Sequence, residues 1–180
     1  TLQPTLQPTT LSPTLQPTTL APTLTPTISK RLGGGGRHFI VLQHNGQVFG
    51  VGQNVLGQLG LGTNTNALVP QPMLSVANAV DITTGLQHSC VLDAGQVKCT
   101  GANSNYQLGD GTVTARNTIV SANGLGTGVV EVHGGSYGSC AKTASGGGQC
   151  WGNFAAFDRA TPLDVTVPGE NSFDANGLVV

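Results

Sequence analysis

Residues 85–112 read GLQHSCVLDAGQVKCTGANSNYQLGDGT, and the fold is decided there. An apolar run, Cys90-Val91-Leu92, enters Asp93-Ala94-Gly95-Gln96, and Val97-Lys98-Cys99 returns. A turn closed at Ala94-Gly95 makes this an antiparallel hairpin, with Leu92 facing Val97 and Cys90 facing Cys99. Upstream, residues 35–63 repeat the unit as GGRHFIVLQHNGQVFGVGQNVLGQLGLGT. There FIVL is a strand of β-branched and aromatic type, Asn45-Gly46 a turn signal, and QVFGV the return strand. GQNVLGQLGLGT is a loop, because four glycines in twelve residues hold neither strand nor helix. Downstream, a worn copy begins at Gly135: GSYGSCAKTASGGGQCWGN.

Aligned, the copies share landmarks 50 residues apart: Gly35, Gly85 and Gly135; Leu32, Ile82 and Val132; Val80, Val130 and Val180. A fixed period of this size signals stacked supersecondary units. The boundaries read as 32–81, 82–131 and 132–180 within a repeat region of 32–180. Between the units, AVDIT at 79–83 alternates like a half-buried strand. After Gly152 the third copy loses the QLGxGT element and reads NFAAFDRATPLDVTVPG.

Ahead of the repeats, residues 1–31 form a separate region. Pro falls at 4, 8, 13, 17, 22 and 26, and no charge precedes Lys30. Proline at that density forbids helix and central strand. The expectation is a disordered Thr/Pro-rich spacer or O-glycosylated stalk, on the order of 90 Å long at about 3.1 Å per residue. GGGG at 33–36 reads as a flexible joint that ends it. The chain opens on Thr1 rather than Met, which points to a piece of a longer gene product.

Composition narrows the function. Charged residues make up 8% of the chain and the net charge is −1. That gives no basic face for nucleic acid and little counterion release to drive such binding. No apolar run is long enough to span a membrane.

The four cysteines fall on opposed hairpin positions. Cys90 faces Cys99, and Cys140 faces Cys150 across TASGGG. Opposed Cα atoms lie about 4.5–5.5 Å apart, within disulfide reach. In the first copy Ile40 and Gly50 hold those places, so both cysteines are absent together. Two disulfides are the leading reading, and they imply an oxidising compartment. Zinc and free thiols compete with it, although structural zinc favours tighter cysteine spacing than these pairs have.

These residues resemble the repeat of the regulator of chromosome condensation family. Its pattern is a Gly, a His-Ser or similar pair, an apolar strand, Gly-x-Val, an aromatic-Gly, an Asn and Gln-Leu-Gly-x-Gly. Gln58, Leu59, Gly60 and Gly62 carry the last element, as do Gln107, Leu108, Gly109 and Gly111. The third copy departs from it, since Asn153 directly follows Trp151-Gly152. The resemblance covers about residues 32–169. It implies an all-β fold of four-stranded propeller blades, three here of a usual seven. Three blades cannot close a ring. The paired cysteines resemble a variety found among secreted members. Kelch repeats share the period but lack the QLGxG element.

Site chemistry is sparse. His38 and His88 hold equivalent positions and read as structural hydrogen-bonding groups, whereas His44 and His133 have no counterparts. The glycines match neither a dinucleotide fingerprint nor a phosphate-binding loop with its lysine. Asp110 lacks the alternating acids of a calcium loop. No catalytic residues, cofactor or metal site are expected. The first functional reading is a protein- or glycan-binding module of a secreted or cell-surface protein. The alternatives are guanine-nucleotide exchange, as in the family's founding member, and an accessory propeller to a catalytic domain elsewhere.

Overall fold

The computed structural model describes residues 32–125, 128–154 and 157–165. The Thr/Pro-rich region and the NSFDANGLVV segment lie outside them. The first sheet is β1 (Leu32–Gly34), β2 (His38–Leu42), β3 (Val48–Gly52) and β4 (Ala67–Pro72). The second is β5 (Ala79–Thr84), β6 (His88–Asp93), β7 (Gln96–Gly101) and β8 (Arg116–Ser121). The third is β9 (Val129–Gly134), β10 (Gly138–Thr143), β11 (Gly148–Phe154) and β12 (Phe157–Val165). Each is a four-stranded antiparallel meander in chain order, and no helix occurs among the described residues. The sheets are propeller blades. Their first strands β1, β5 and β9 lie side by side, and β4, β8 and β12 form the outer edges.

Pleating sends alternate residues to opposite faces. Ile40, Leu42 and Val48 of blade 1 meet Ile82 and Val91 of blade 2 in one core. Cys90, Leu92, Val97 and Cys99 of blade 2 meet Val132, Ala141 and Trp151 of blade 3 in another. Blade 2 is therefore buried on both sides, and every residue of β6 is buried.

The hairpin register is Leu92↔Val97 and Cys90↔Cys99, around Ala94 at φ 50° and Gly95 at φ 77°. Both turn residues are left-handed, as the hairpin twist requires. Cys90 bonds Cys99, and Cys140 bonds Cys150, each with Cα atoms 4.1 Å apart. Asn45-Gly46 behaves differently. Only Gly46 has positive φ, and its N–H donates to the Gln43 carbonyl at 3.0 Å. Gln43 N–H in turn donates to Gln47 O, giving a longer turn that ends in a left-handed glycine.

Two sequence expectations change. GGGG is no flexible joint. Gly33 and Gly34 pair with Ile40 and Phe39, and a Cβ on Gly35 would lie 2.2 Å from His38 Cε1. These glycines permit close approach. AVDIT does not alternate, because blades 1 and 3 cover β5 from both sides and bury Asp81. Two strands also went unread. β4 contains Pro70 and Pro72, which only an edge strand tolerates, and half-exposed β8 shows no clear period.

Candidate recognition surface

The junctions between blades fix where each turn stands. His38 Nε2 lies 2.9 Å from Ser89 Oγ, and Ser89 donates to Gln58 O at 2.8 Å. One junction later, His88 Nε2 lies 2.8 Å from Ser139 Oγ, which donates to Gln107 O at 3.3 Å. Since each serine spends its proton on a carbonyl, each histidine must donate from Nε2. Nδ1 of both rings is buried without a partner. Burial therefore lowers His38 to about 4, against a backbone hydrogen bond at His88 that raises it. Burial, and secondarily His38, lowers His88 to about 3. Both rings are neutral at neutral pH and act structurally.

The Gln-Leu-Gly loops are framed from within. Asn54 donates to the carbonyls of Thr63 and Thr65 and accepts from Leu59 N–H at 2.9 Å. Asn103 donates to Thr112 and Thr114 and accepts from Leu108 N–H at 3.0 Å. Gln58 and Gln107 each turn back to accept a backbone N–H of their own loop, from Leu56 and Asn105. Leu59 and Leu108 are buried beneath. Gly60 and Gly62, like Gly109 and Gly111, have positive φ. Burial pushes the Asp110 carboxyl up, but Thr112, Asn103 and Arg116 outweigh it and hold the group below its ordinary range. Asp110 thus braces its own loop.

On that frame, the first turn of each blade is built identically. Gly35, Gly85 and Gly135 donate to the carbonyls of His38, His88 and Gly138 at 2.8, 2.9 and 2.8 Å. The carbonyls of Arg37, Gln87 and Tyr137 accept from Gln53, Ala102 and Asn153, each at 2.9 Å. Gly36 N–H reaches Leu86 O at 3.0 Å, and Leu86 N–H reaches Ser136 O at 3.2 Å. One backbone rail therefore crosses all three blades. What it displays differs at every step: Gly36-Arg37, Leu86-Gln87, Ser136-Tyr137. Tyr137 is 44% exposed. Between blades 1 and 2 the rail borders a cleft of about 270 Å³ lined by Gly36, Arg37, Gln53, Leu86 and Gln87. The backbone of this turn is held constant from blade to blade while the side chains it carries vary.

Residues 45–92 match the family model for the regulator of chromosome condensation (RCC1) repeat. The blades are RCC1 repeats. Protein RCC2 of Homo sapiens is 38% identical over 89 residues, which are 46% of this chain and 17% of that protein. The secretion-regulating guanine nucleotide exchange factor of Bos taurus is 35% identical over 127 residues, 68% of this chain and 27% of that protein. The chain thus spans about a sixth to a quarter of these relatives' lengths. Yeast RCC1 (Prp20), solved bound to Kap60, superposes with a TM-score of 0.64 at 19% identity, covering 83% of this chain and 40% of that one. Human WBSCR16 gives 0.62 at 24% identity, covering 75% and 38%. These structures share the propeller fold.

The RCC1 frame explains which residues the sequence brought out. His38, His88 and the Gln-Leu-Gly elements stood out because they recur. Asn54 and Asn103 recur too, but short polar residues in a glycine-rich loop carry little periodic signal. Ser89 follows His88 in the repeat, whereas Ser139 follows Gly138, and its role shows only in the structure, where it meets His88 of the preceding blade. Among the described residues, no three His, Cys, Asp or Glu side chains gather as metal ligands, and no helix is long and apolar enough to cross a membrane.

Proposed function

We propose that the chain is a binding part of a secreted or cell-surface propeller protein and recognises a protein or glycan at the turn end of its blades. The carrying observation is the constant rail with its changing pairs, Gly36-Arg37, Leu86-Gln87 and Ser136-Tyr137. Arginine and tyrosine are the side chains most often found as anchors of recognition. Two disulfides and the Thr/Pro-rich leader region support an oxidising, extracytoplasmic setting. On this reading the chain binds and does no catalysis of its own. The test is binding of the chain to panels of glycans and extracellular proteins, beside an Arg37→Glu/Tyr137→Ala variant. Loss of the hits with an unchanged melting temperature is expected. Hits that survive the double substitution would sink the assignment to this surface.

Guanine-nucleotide exchange is the second reading, favoured by the name of the Bos taurus relative. Accelerated release of labelled GDP from a small GTPase would establish it.

A further inference from the structure

The cleft between blades 1 and 2 lies inside the arc, at a junction where both partners are present. Gly36, Arg37 and Gln53 of blade 1 line it together with Leu86 and Gln87 of blade 2. A Cβ on Gly36 would lie 2.8 Å from Leu86 Cδ1 and 2.9 Å from Leu86 O, so bare backbone is needed there. One junction on, Leu86 takes the place of Gly36, Gln87 that of Arg37 and Ala102 that of Gln53. The second junction thus has the same frame without the cation and with one carboxamide fewer.

Arg37 is exposed and has no carboxylate partner among the described residues. Lys98, Arg116 and Lys142 differ, lying 2.7, 3.0 and 3.8 Å from Asp93, Asp110 and Glu131. A solvated arginine needs no partner, but this one shares a cleft with two carboxamides and an apolar side chain. A planar guanidinium fork binds a carboxylate through two parallel N–H···O bonds. Each carboxamide offers both a donor and an acceptor, as a hydroxyl requires. Leu86, 40% exposed, offers an apolar edge. A carboxylate, hydroxyls and a C–H face on one small ring describe an acidic sugar. The cleft of about 270 Å³ falls below the roughly 300–1,000 Å³ that encloses a drug-sized molecule, which suits a single ring.

Two other anionic partners fit less well. An extended acidic peptide binds largely through main-chain hydrogen bonds. Here the main chain is engaged already: Gly36 N–H donates to Leu86 O, and Arg37 O and Gln87 O accept from Gln53 and Ala102. A sulfated polyanion needs a run of cations, whereas Arg37 is followed along the rail by Gln87 and Tyr137. Building on the recognition role proposed above, we infer that this cleft binds one carboxylated sugar residue, a uronate or a sialate. Arg37 clasps the carboxylate, and Gln53 and Gln87 bond the ring hydroxyls.

Titration calorimetry of the 180-residue chain tests this with trigalacturonate and with sialyllactose, each beside its carboxyl-reduced form, and with an Asp/Glu peptide. At least one acidic sugar should bind with millimolar or tighter affinity, and which one binds identifies the acid. Its carboxyl-reduced form should bind about tenfold more weakly or worse, the cost of a lost charge-assisted pair. Arg37→Gln should reproduce that loss, and Arg37→Lys, which keeps the charge without the fork, should recover only part of it. Unchanged thermal unfolding of Arg37→Gln separates lost binding from lost fold. Binding of neither acidic sugar would overturn the inference. So would equal binding of acidic and reduced forms, an unchanged affinity in Arg37→Gln, or a preference for the peptide. Neutral glycans or proteins that bind, are lost in Tyr137→Ala and ignore Arg37→Gln would leave recognition at the rail standing without the acidic sugar. A chain that binds no glycan and no protein would bring down both.

Discussion

The junction between blades 1 and 2 and the junction between blades 2 and 3 share one polar relay but are filled differently. At the first, Met73 and Thr100 together occupy the space over Gly60. A Cβ there would meet Met73 Cγ at 2.9 Å and Thr100 Cγ2 at 3.3 Å. At the second, Trp151 lies over Gly109, with Cδ1 and Nε1 each 2.8 Å from such a Cβ. Trp151 pairs with Ser139 as Thr100 pairs with Ser89. Ala122 takes the place of Met73, since Met73 N–H donates to Val48 O and Ala122 N–H to Val97 O. A large and a small residue at one junction have thus traded sizes at the other. The hydrogen bonds that set geometry are kept, whereas the apolar filling is free to vary while the total volume is held.

The strongest way to break that comparison is to exchange the fillings. Trp151→Thr should cost on the order of 3–5 kcal/mol, because it empties a fully buried site. Ala122→Met alone should also destabilise, by about 1–3 kcal/mol, through overpacking. Combined, they rebuild the first junction at the second and should cost less than their sum by about 0.5–3 kcal/mol. Denaturant unfolding of the four proteins measures the coupling. Strict additivity would mean that the two junctions are not solutions to one volume problem.

The shared relay should appear as a pH effect common to both junctions. His38 is lowered to about 4 and His88 to about 3 from an ordinary 6.5. A base depressed by folding binds more protons when unfolded, so stability rises with pH across that window. The contribution should be complete above pH 6.5 and lost as pH falls toward 4 for His38 and toward 3 for His88. At about 1.4 kcal/mol per tenfold change in proton affinity, His38 should contribute roughly 3 kcal/mol and His88 roughly 5 kcal/mol. His38→Gln and His88→Gln should each flatten the slope between pH 6.5 and 4. A wild-type stability that stays level over this range would mean that the rings ionise in place.

This contrast also separates what could be read in the sequence from what could not. Register and pairing were legible at Cys90, Cys99, Cys140 and Cys150 because a hairpin imposes period two and a short turn fixes the phase. The loops were legible because Gln-Leu-Gly-x-Gly recurs. What needed the structure was anything decided across blades. Asp81 lies in a stretch that looks half-exposed, yet its Oδ2 accepts Val132 N–H of the next blade at 2.9 Å. The Gly33–Gly36 run looks like a linker because what crowds it, the His38 ring at Gly35 and Leu86 at Gly36, becomes visible only once the chain has folded back. Arg37, Gln87 and Tyr137 differ from copy to copy, so a search for recurrence passes over them.

The smallest effect sharpens the comparison between hairpins of blades 1 and 2. Ala94 sits at φ 50° in the β6–β7 turn and is exposed, without the local side-chain hydrogen bonds that let asparagine accept this region. Blade 1 has the sequence better suited to such a turn, Asn45-Gly46, yet uses it in a longer loop in which Asn45 does not go left-handed. Loop length, rather than turn residue, therefore selects the conformation. Ala94→Asn should stabilise blade 2 by about 0.5–1 kcal/mol, by relieving a left-handed alanine at no cost in packing. The substitution touches neither junction, so its effect should add to that of Trp151→Thr within a few tenths of a kcal/mol. Thermal unfolding of the single and double variants decides it. A destabilised Ala94→Asn would show that the turn does not hold both of its central residues left-handed in solution.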